Sequence, residues 1–112
     1  MKYVNLVLFS LLWISQASAD VRVVTTLPEL ADLTSQIGKD RVTVSSIVRG
    51  DQNPHFVEVK PSYMMRLKSA DVFLTIGMEL EMWVPQIVDG SRNSNLEVVD
   101  LSKEIQKLEV PG

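Results

Sequence analysis

Four short runs rich in β-branched residues alternate along this chain with segments of helical spacing, and this alternation restricts the possible folds most. The runs are VRVVTT at 21–26, VTVSSIV at 42–48, DVFLTI at 71–76 and EVVDLS at 97–102. They lack the regular alternation of apolar and polar residues that is typical of a sheet with one solvent-exposed face. Strands that alternate with helices at this spacing wind into a parallel, right-handed sheet. The sequence therefore predicts an α/β fold, a parallel sheet with helices on both faces.

Prolines and glycines mark the limits of the predicted helices. The first helix begins at Pro28 and ends at Gly38, the second begins at Pro61, and the third covers about 79–89 with its proline near the start. The positions that share one face at helical spacing are Leu30, Leu33 or Thr34, and Ile37 in the first helix, Met65, Leu67 or Lys68, and Ala70 in the second, and Leu80, Trp83, Val84, Ile87 and Val88 in the third. After the fourth strand, a short helix or an irregular tail is expected.

The first nineteen residues, MKYVNLVLFSLLWISQASA, have the layout of a secretory signal peptide. Lys2 supplies a basic start, an apolar stretch covers 4–14, and Ala17-Ser18-Ala19 fits the small-residue site of signal peptidase. The apolar stretch is too short to span a bilayer, which disfavours the alternative of a membrane anchor. No cysteine offers a lipid attachment point. We therefore expect cleavage after Ala19 and a freely soluble periplasmic protein.

Residues 20–112 are expected to form one compact unit or one part of a larger one. These 93 residues lie near the lower end of the size range in which a single core suffices, and export without cysteine excludes a disulfide scaffold. Their ten basic and fourteen acidic residues give a net charge of −4, which argues against nucleic acid as a partner. The residues expected in the core of the sheet are Val23, Val24, Val44, Ile47, Val72, Leu74 and Val98.

His55, the only histidine in the sequence, lies in the segment RGDQNPHFVEVKPS at 49–62. Because the chain has no cysteine, His55 is the one side chain that offers a metal a borderline-soft nitrogen or passes a proton near neutral pH. Asn53-Pro54 and Lys60-Pro61 disfavour helix, so the imidazole is predicted on a loop after the second strand. Ligands of parallel sheets gather in such loops. A solvated surface histidine is the alternative that the local residues leave open.

Other kinds of site find less support in the sequence. A phosphate-binding turn would need glycines after the first strand, where the sequence reads TTLPEL, and nucleophilic hydrolysis would need a GxSxG elbow, which the sequence lacks. Glu79 and Glu81 stand near a predicted helix start, where capping is favoured over a catalytic pair. Four methionines between residues 64 and 82 suggest a copper site, but methionine on a helix more often fills a core. We therefore expect no enzymatic activity.

The string NPHFVEVKPSYMMRLKSADVFLTIGMELEMW, at 53–83, is similar to the signature of the cluster 9 solute-binding family, the zinc and manganese receptors of ABC transporters. The positions in register are Pro54-His55, Glu58, Pro61-Ser62, Leu67, Ala70-Asp71, Gly77, Leu80-Glu81 and Trp83. The opening at 23–48 fits as well, so the resemblance covers essentially all of 20–112. It implies a monomeric receptor that captures a divalent transition metal, zinc with manganese as the alternative, and hands it to a membrane permease.

The resemblance also implies that His55 is a metal ligand as a neutral imidazole, with Glu58 and Asn53 as candidates for orienting it or shaping its loop. Asn53 stands where the family commonly has Asp, Val57 where Tyr is common, and Val59-Lys60 where Pro-Thr is common. The family divides four ligands between two lobes, and this chain stops before the segment that usually carries the second histidine. We therefore expect an incomplete amino-terminal lobe, from a fragment or a truncated gene model. An exported α/β adhesion or interaction domain that binds no metal is the alternative.

Overall fold

The computed structural model describes residues 20–108, in which four strands and three α-helices alternate along the chain. The strands are β1 (Val21–Thr25), β2 (Val42–Ser46), β3 (Val72–Thr75) and β4 (Glu97–Asp100), and the helices are α1 (Pro28–Gly38), α2 (Pro61–Lys68) and α3 (Val84–Ser91). Short 3₁₀ helices follow α1 at Lys39–Arg41 and β4 at Leu101–Glu104. The predicted signal peptide, 1–19, lies outside the described residues. Within 20–108, no helix has the length and apolar character that a bilayer crossing requires.

The four strands form one parallel sheet in the order β2-β1-β3-β4. Val23 of β1 pairs with Val44 on one side and with Val72 on the other, and Phe73 pairs with Val98. The chain steps from β1 to β2 in one direction and then across β1 to β3 and β4 in the other. Right-handed crossovers therefore place α1 on one face and α2 and α3 on the opposite face. This arrangement confirms the predicted α/β fold.

Proline stands in the first turn of each helix, and none of the three has a side-chain cap at its amino end. Pro28 and Pro61 are the first residues of α1 and α2, and Pro85 lies in the first turn of α3. The ring presets the helical φ angle, and proline has no N–H group to leave unpaired in that turn. The chain therefore begins its helices through backbone restriction, and the predicted starts of α1 and α2 are confirmed.

The main core lies between the sheet and the α2–α3 layer. Its buried members are Val24, Ile47, Val48, Val57, Tyr63, Leu67, Ala70, Phe73, Trp83 and Ile87. Val23, Val24 and Ile47 were expected in the core, and their burial confirms it. Ile47 and Val48 lie beyond the end of β2, yet their N–H groups still donate to the carbonyls of Thr25 and Thr26, both at 2.9 Å.

The other face of the sheet is covered less completely than expected. Val44, Val72 and Leu74 are only half-buried, because they share the α1 face and α1 itself contains no buried residue. Ile37 of α1 is 84% exposed. The expectation for Val98 is wrong, since it lies on the edge strand β4 and is 43% exposed.

Two helix predictions also need correction. The inner side of α2 presents Tyr63 and Leu67, whereas Met65 is exposed. α3 begins at Val84 and not near residue 79, because residues 77–79 all have positive φ angles and cannot continue a right-handed helix.

Candidate metal centre

His55 lies on the loop of residues 47–60, which joins β2 to α2 at the carboxyl edge of the sheet. The N–H of Gln52 donates to the carbonyl of Arg49 at 3.0 Å, and the N–H of Arg49 donates to Oε1 of Gln52 at 2.9 Å. A second turn follows, in which the N–H of Phe56 donates to the carbonyl of Asn53 at 3.1 Å. The loop position predicted for His55 is thus confirmed, and its imidazole is exposed.

Asn53 contacts His55 through one oxygen atom that accepts from two nitrogens. Oδ1 of Asn53 lies 3.0 Å from the backbone nitrogen of His55 and 3.0 Å from its Nδ1. The backbone N–H is a donor, so the atom that faces it must be the amide oxygen of Asn53. Because an amide oxygen only accepts, Nδ1 carries the proton in this arrangement. The neutral imidazole then keeps its lone pair on Nε2, where it is available to a metal ion.

Glu58, the other candidate for orienting the imidazole, is exposed on the following part of the loop. Within residues 20–108 it makes no hydrogen bond to His55, whose polar partner is Asn53. The nearest aromatic neighbour is Phe56, with ring centroids 6.1 Å apart and planes tilted by 42°. Val57, at the position where the family commonly has Tyr, is buried in the core and anchors the loop. Asn53 is therefore the residue that the structure places against the imidazole.

Trp83 joins the turn before α3 to the His55 loop. Its Nε1–H donates to the carbonyl of Pro54 at 2.8 Å, and its ring is buried in the core cluster. The sequence pattern predicted Trp83 only as part of an apolar helix face. The single available signal was that Trp83 and Pro54-His55 belong to the same family signature, which carries no information on distance.

Glu81 holds the turn that follows β3. It is only 6% exposed, and its carboxylate accepts from the N–H of Ile76 at 2.9 Å and from the N–H of Gly77 at 2.8 Å. The interpretation of Glu81 as a cap of the third helix is therefore wrong, because its partners lie at the end of the strand. Glu79 is exposed.

The hydroxyl of Ser102 lowers the pKa of Asp100 at the end of β4. Oγ donates to Oδ1 of Asp100 at 2.6 Å, and the backbone N–H of Ser102 donates to the same oxygen at 2.9 Å. Burial opposes the shift, while Lys103 adds to it, and the net effect holds the pKa below its ordinary value. Asp100 is thus an acceptor that ends the strand and starts the 3₁₀ helix.

The four methionines do not form one group. Met64 is partly buried and packs against the core, as expected, whereas Met65, Met78 and Met82 are exposed, and the core-filling interpretation is wrong for these three. Met78 and Met82 line a cavity of about 300 Å³ beside Asp100.

His55 is the one histidine available, and the acids around it do not complete a site. Among residues 20–108, no group of three or more histidine and carboxylate side chains could hold a metal ion. A cavity of about 160 Å³ lies between the His55 loop and the start of α1, and Glu29 is one of its lining residues. Zinc sites use three or four protein ligands. The described residues therefore do not contain a complete zinc site.

Residues 23–111 match the family described as zinc-uptake complex component A, periplasmic. The manganese-binding lipoprotein MntA of Halalkalibacterium halodurans is 32% identical over 94 residues, which are 84% of this chain and 31% of that protein. The metal ABC transporter substrate-binding lipoprotein FimA of Streptococcus parasanguinis is 29% identical over 103 residues, 88% of this chain and 33% of that protein. The crystal structure of a ZnuA deletion mutant with zinc bound is 30% identical, with a TM-score of 0.72 over 83% of this chain and 35% of that one. The chain thus spans about a third of the length of these relatives.

Proposed function

This chain belongs to the zinc-uptake complex component A family, the zinc and manganese solute-binding receptors that its sequence resembles, and we propose that it forms the metal-capturing amino-terminal part of such a receptor. In this proposal the receptor binds a divalent transition metal and delivers it to the membrane permease of an ABC transporter. Members of the family are solute-binding receptors and not enzymes, which confirms the expectation of no enzymatic activity. The comparisons give no support for an adhesion or interaction domain.

The observation that carries this proposal is the state of the His55 imidazole. It is exposed at the carboxyl edge of a parallel sheet, where ligands of such sheets bind, and its Nδ1 is already engaged by Oδ1 of Asn53. Nε2 is the remaining nitrogen, and it has no protein partner among residues 20–108. A histidine whose second nitrogen is hydrogen-bonded by the protein is the usual form of a metal-binding histidine. We therefore assign Nε2 of His55 as the ligand atom.

Zinc is the proposed metal, with manganese as the alternative. The one nitrogen ligand present favours zinc, because imidazole suits zinc whereas carboxylate, carbonyl and water oxygens suit manganese. Relatives associated with each metal support these two candidates: MntA is named for manganese, and the ZnuA deletion mutant has zinc bound. The remaining ligands decide between the metals.

A periplasmic location is part of the proposal. The matching family is described as periplasmic, and residues 1–19 have the composition of a signal peptide with a cleavage site after Ala19. We further propose that the receptor acts as a monomer, as the family resemblance implies. Binding of nucleic acid is not part of the proposal, since residues 20–112 carry a net charge of −4.

Calorimetric titration of the full-length gene product with zinc, and in parallel with manganese, tests the proposal. The wild type should bind one equivalent of metal tightly. His55→Ala should lower the affinity by about 100-fold or more, because it removes one of three or four ligands, and it should leave the fold intact since the side chain is exposed. Phe56→Ala is the matched control, because Phe56 is the adjacent exposed residue on the same loop. Unchanged affinity after His55→Ala would exclude His55 as a ligand.

A further inference from the structure

The peptide unit that joins Pro54 to His55 is held at both of its polar groups. Its carbonyl oxygen accepts from Nε1–H of Trp83 at 2.8 Å, and its N–H donates to Oδ1 of Asn53 at 3.0 Å. The orientation of this peptide plane, together with the φ angle of His55, determines the direction in which the Cα–Cβ bond of His55 leaves the backbone. Two hydrogen bonds from different parts of the chain therefore set the direction of an imidazole that is itself exposed.

Trp83 is held in place by more than its own packing. It follows a turn in which Gly77, Met78 and Glu79 have φ angles of 84°, 54° and 64°. Two of these are non-glycine residues in the left-handed region, and such conformations persist only where the surroundings fix them. The buried carboxylate of Glu81 supplies that restraint by accepting from the N–H groups of Ile76 and Gly77. Glu81 and Trp83 are two residues apart, so the turn that Glu81 restrains also restrains the backbone position of Trp83.

We propose that Trp83 is a positioning residue for the metal centre, and that its indole N–H aligns the Pro54–His55 peptide so that Nε2 of His55 meets the metal. The inference rests on the proposed function of His55. Metal–nitrogen distances in good sites stay within about 0.2 Å of their ideal values, so a small rotation of this peptide weakens the bond. Burial in the core accounts for an aromatic ring at position 83, but any hydrogen-bond acceptor would have satisfied the indole N–H. Its partner is the carbonyl that directly precedes the ligand.

The test replaces the indole N–H and keeps the shape of the side chain. In the full-length receptor, position 83 receives β-(3-benzothienyl)alanine, in which sulfur replaces the N–H group, and Trp83→Phe is made as a second variant. Zinc affinity is measured by competition with a chelator, the melting temperature is measured without metal, and the absorption spectrum is recorded with Co²⁺. Tyr63→Phe is the control, because it also removes a polar group from a buried aromatic residue.

We expect the benzothienyl variant to bind zinc 10- to 100-fold more weakly, the range typical for loss of a group that orients a metal-binding histidine. Its melting temperature without metal should stay close to that of the wild type, and the Co²⁺ spectrum should change. Tyr63→Phe should alter neither the zinc affinity nor the spectrum. Wild-type affinity in the benzothienyl variant would overturn the inference, and so would a loss of metal-free stability equivalent to the loss of affinity, since the bond would then serve the fold alone.

His55→Ala in the same series separates this inference from the proposed function. If His55→Ala leaves the zinc affinity unchanged, the assignment of His55 as a metal ligand fails, and the positioning role of Trp83 fails with it. If His55→Ala lowers the affinity and the benzothienyl variant does not, the positioning role of Trp83 fails and the role of His55 stands.

Discussion

Oδ1 of Asn53 lies 3.0 Å from both the backbone nitrogen and Nδ1 of His55, so one amide oxygen sets the loop and the tautomer together. The sequence resemblance marked this position as a departure, because the family commonly has Asp there. The structure shows that Asn preserves the acceptor and lacks the charge. A carboxylate at this position would make the imidazole a stronger donor to a metal ion.

Asn53→Asp should therefore maintain or tighten zinc binding by the full-length receptor, whereas Asn53→Ala should weaken it by roughly 10- to 100-fold. Alanine removes the acceptor that keeps the proton on Nδ1. Titration calorimetry on both variants measures the two effects at one pH. Equal affinities for Asn53→Ala and the wild type would show that the contact does not orient the ligand.

Gly77 occupies a position that no other residue type fits. Its φ angle is +84°, and a Cβ atom there would overlap the side chains of Asp100 and Ser102. Gly77→Ala should lower the free energy of unfolding by roughly 1–3 kcal/mol through backbone strain alone, with the overlap adding to the loss. Gly50→Ala is the matched control, because a Cβ at Gly50 would meet nothing within 4 Å. Denaturant midpoints measure both, and a Gly77→Ala midpoint equal to that of Gly50→Ala would contradict the expectation.

The sheet was predictable because β-branched runs and helix-starting prolines are local signals. The turn at 77–83 could not be predicted from local signals. Its geometry depends on the buried carboxylate of Glu81 and on the left-handed backbone of residues 77–79. The pattern of Leu80 and Trp83 with α3 residues fitted a helical period, so it extended the predicted helix too far towards the amino end. The loop position of His55 followed from flanking prolines, whereas its contact with Asn53 depends on the conformation of the loop, which residue types alone do not specify.

The sequence also did not predict how completely helices cover each face of the sheet. Apolar spacing in α1 and α3 is similar, yet Ile37 is 84% exposed and Ile87 is fully buried. Periodicity identifies an apolar face but does not show what packs against it. The two isoleucines therefore offer a matched comparison of the two helices.

Ile87→Val should lower the free energy of unfolding by about 0.5–1.5 kcal/mol, because it removes one methylene from a side chain with no solvent exposure. Ile37→Val makes the same chemical change in a helix at an exposed position and should fall within about 0.5 kcal/mol of the wild type. Chemical denaturation of both variants gives the comparison. Equal losses would mean that α1 packs as closely as α3.

Ser102 provides a test of the electrostatics at the end of β4. Its hydroxyl lowers the pKa of Asp100 below the ordinary value of 3.8, so the folded state favours the ionised carboxylate more than the unfolded state does. The resulting stabilisation is present above pH 3.8 and is lost as the pH falls through the lowered pKa of the folded protein. Ser102→Ala removes the hydroxyl donor and with it the largest cause of the shift.

The melting temperature of Ser102→Ala should therefore lie below that of the wild type at neutral pH, and the gap should narrow as the pH falls below 3.8. Thermal melts at several pH values between 7 and 2.5 measure this. Ser94→Ala serves as the control, because Ser94 is exposed and should show no gap that varies with pH. A gap for Ser102→Ala that stays constant down to the lowest pH would mean that its loss comes from packing, and that the hydrogen bond to Asp100 does not favour the ionised form.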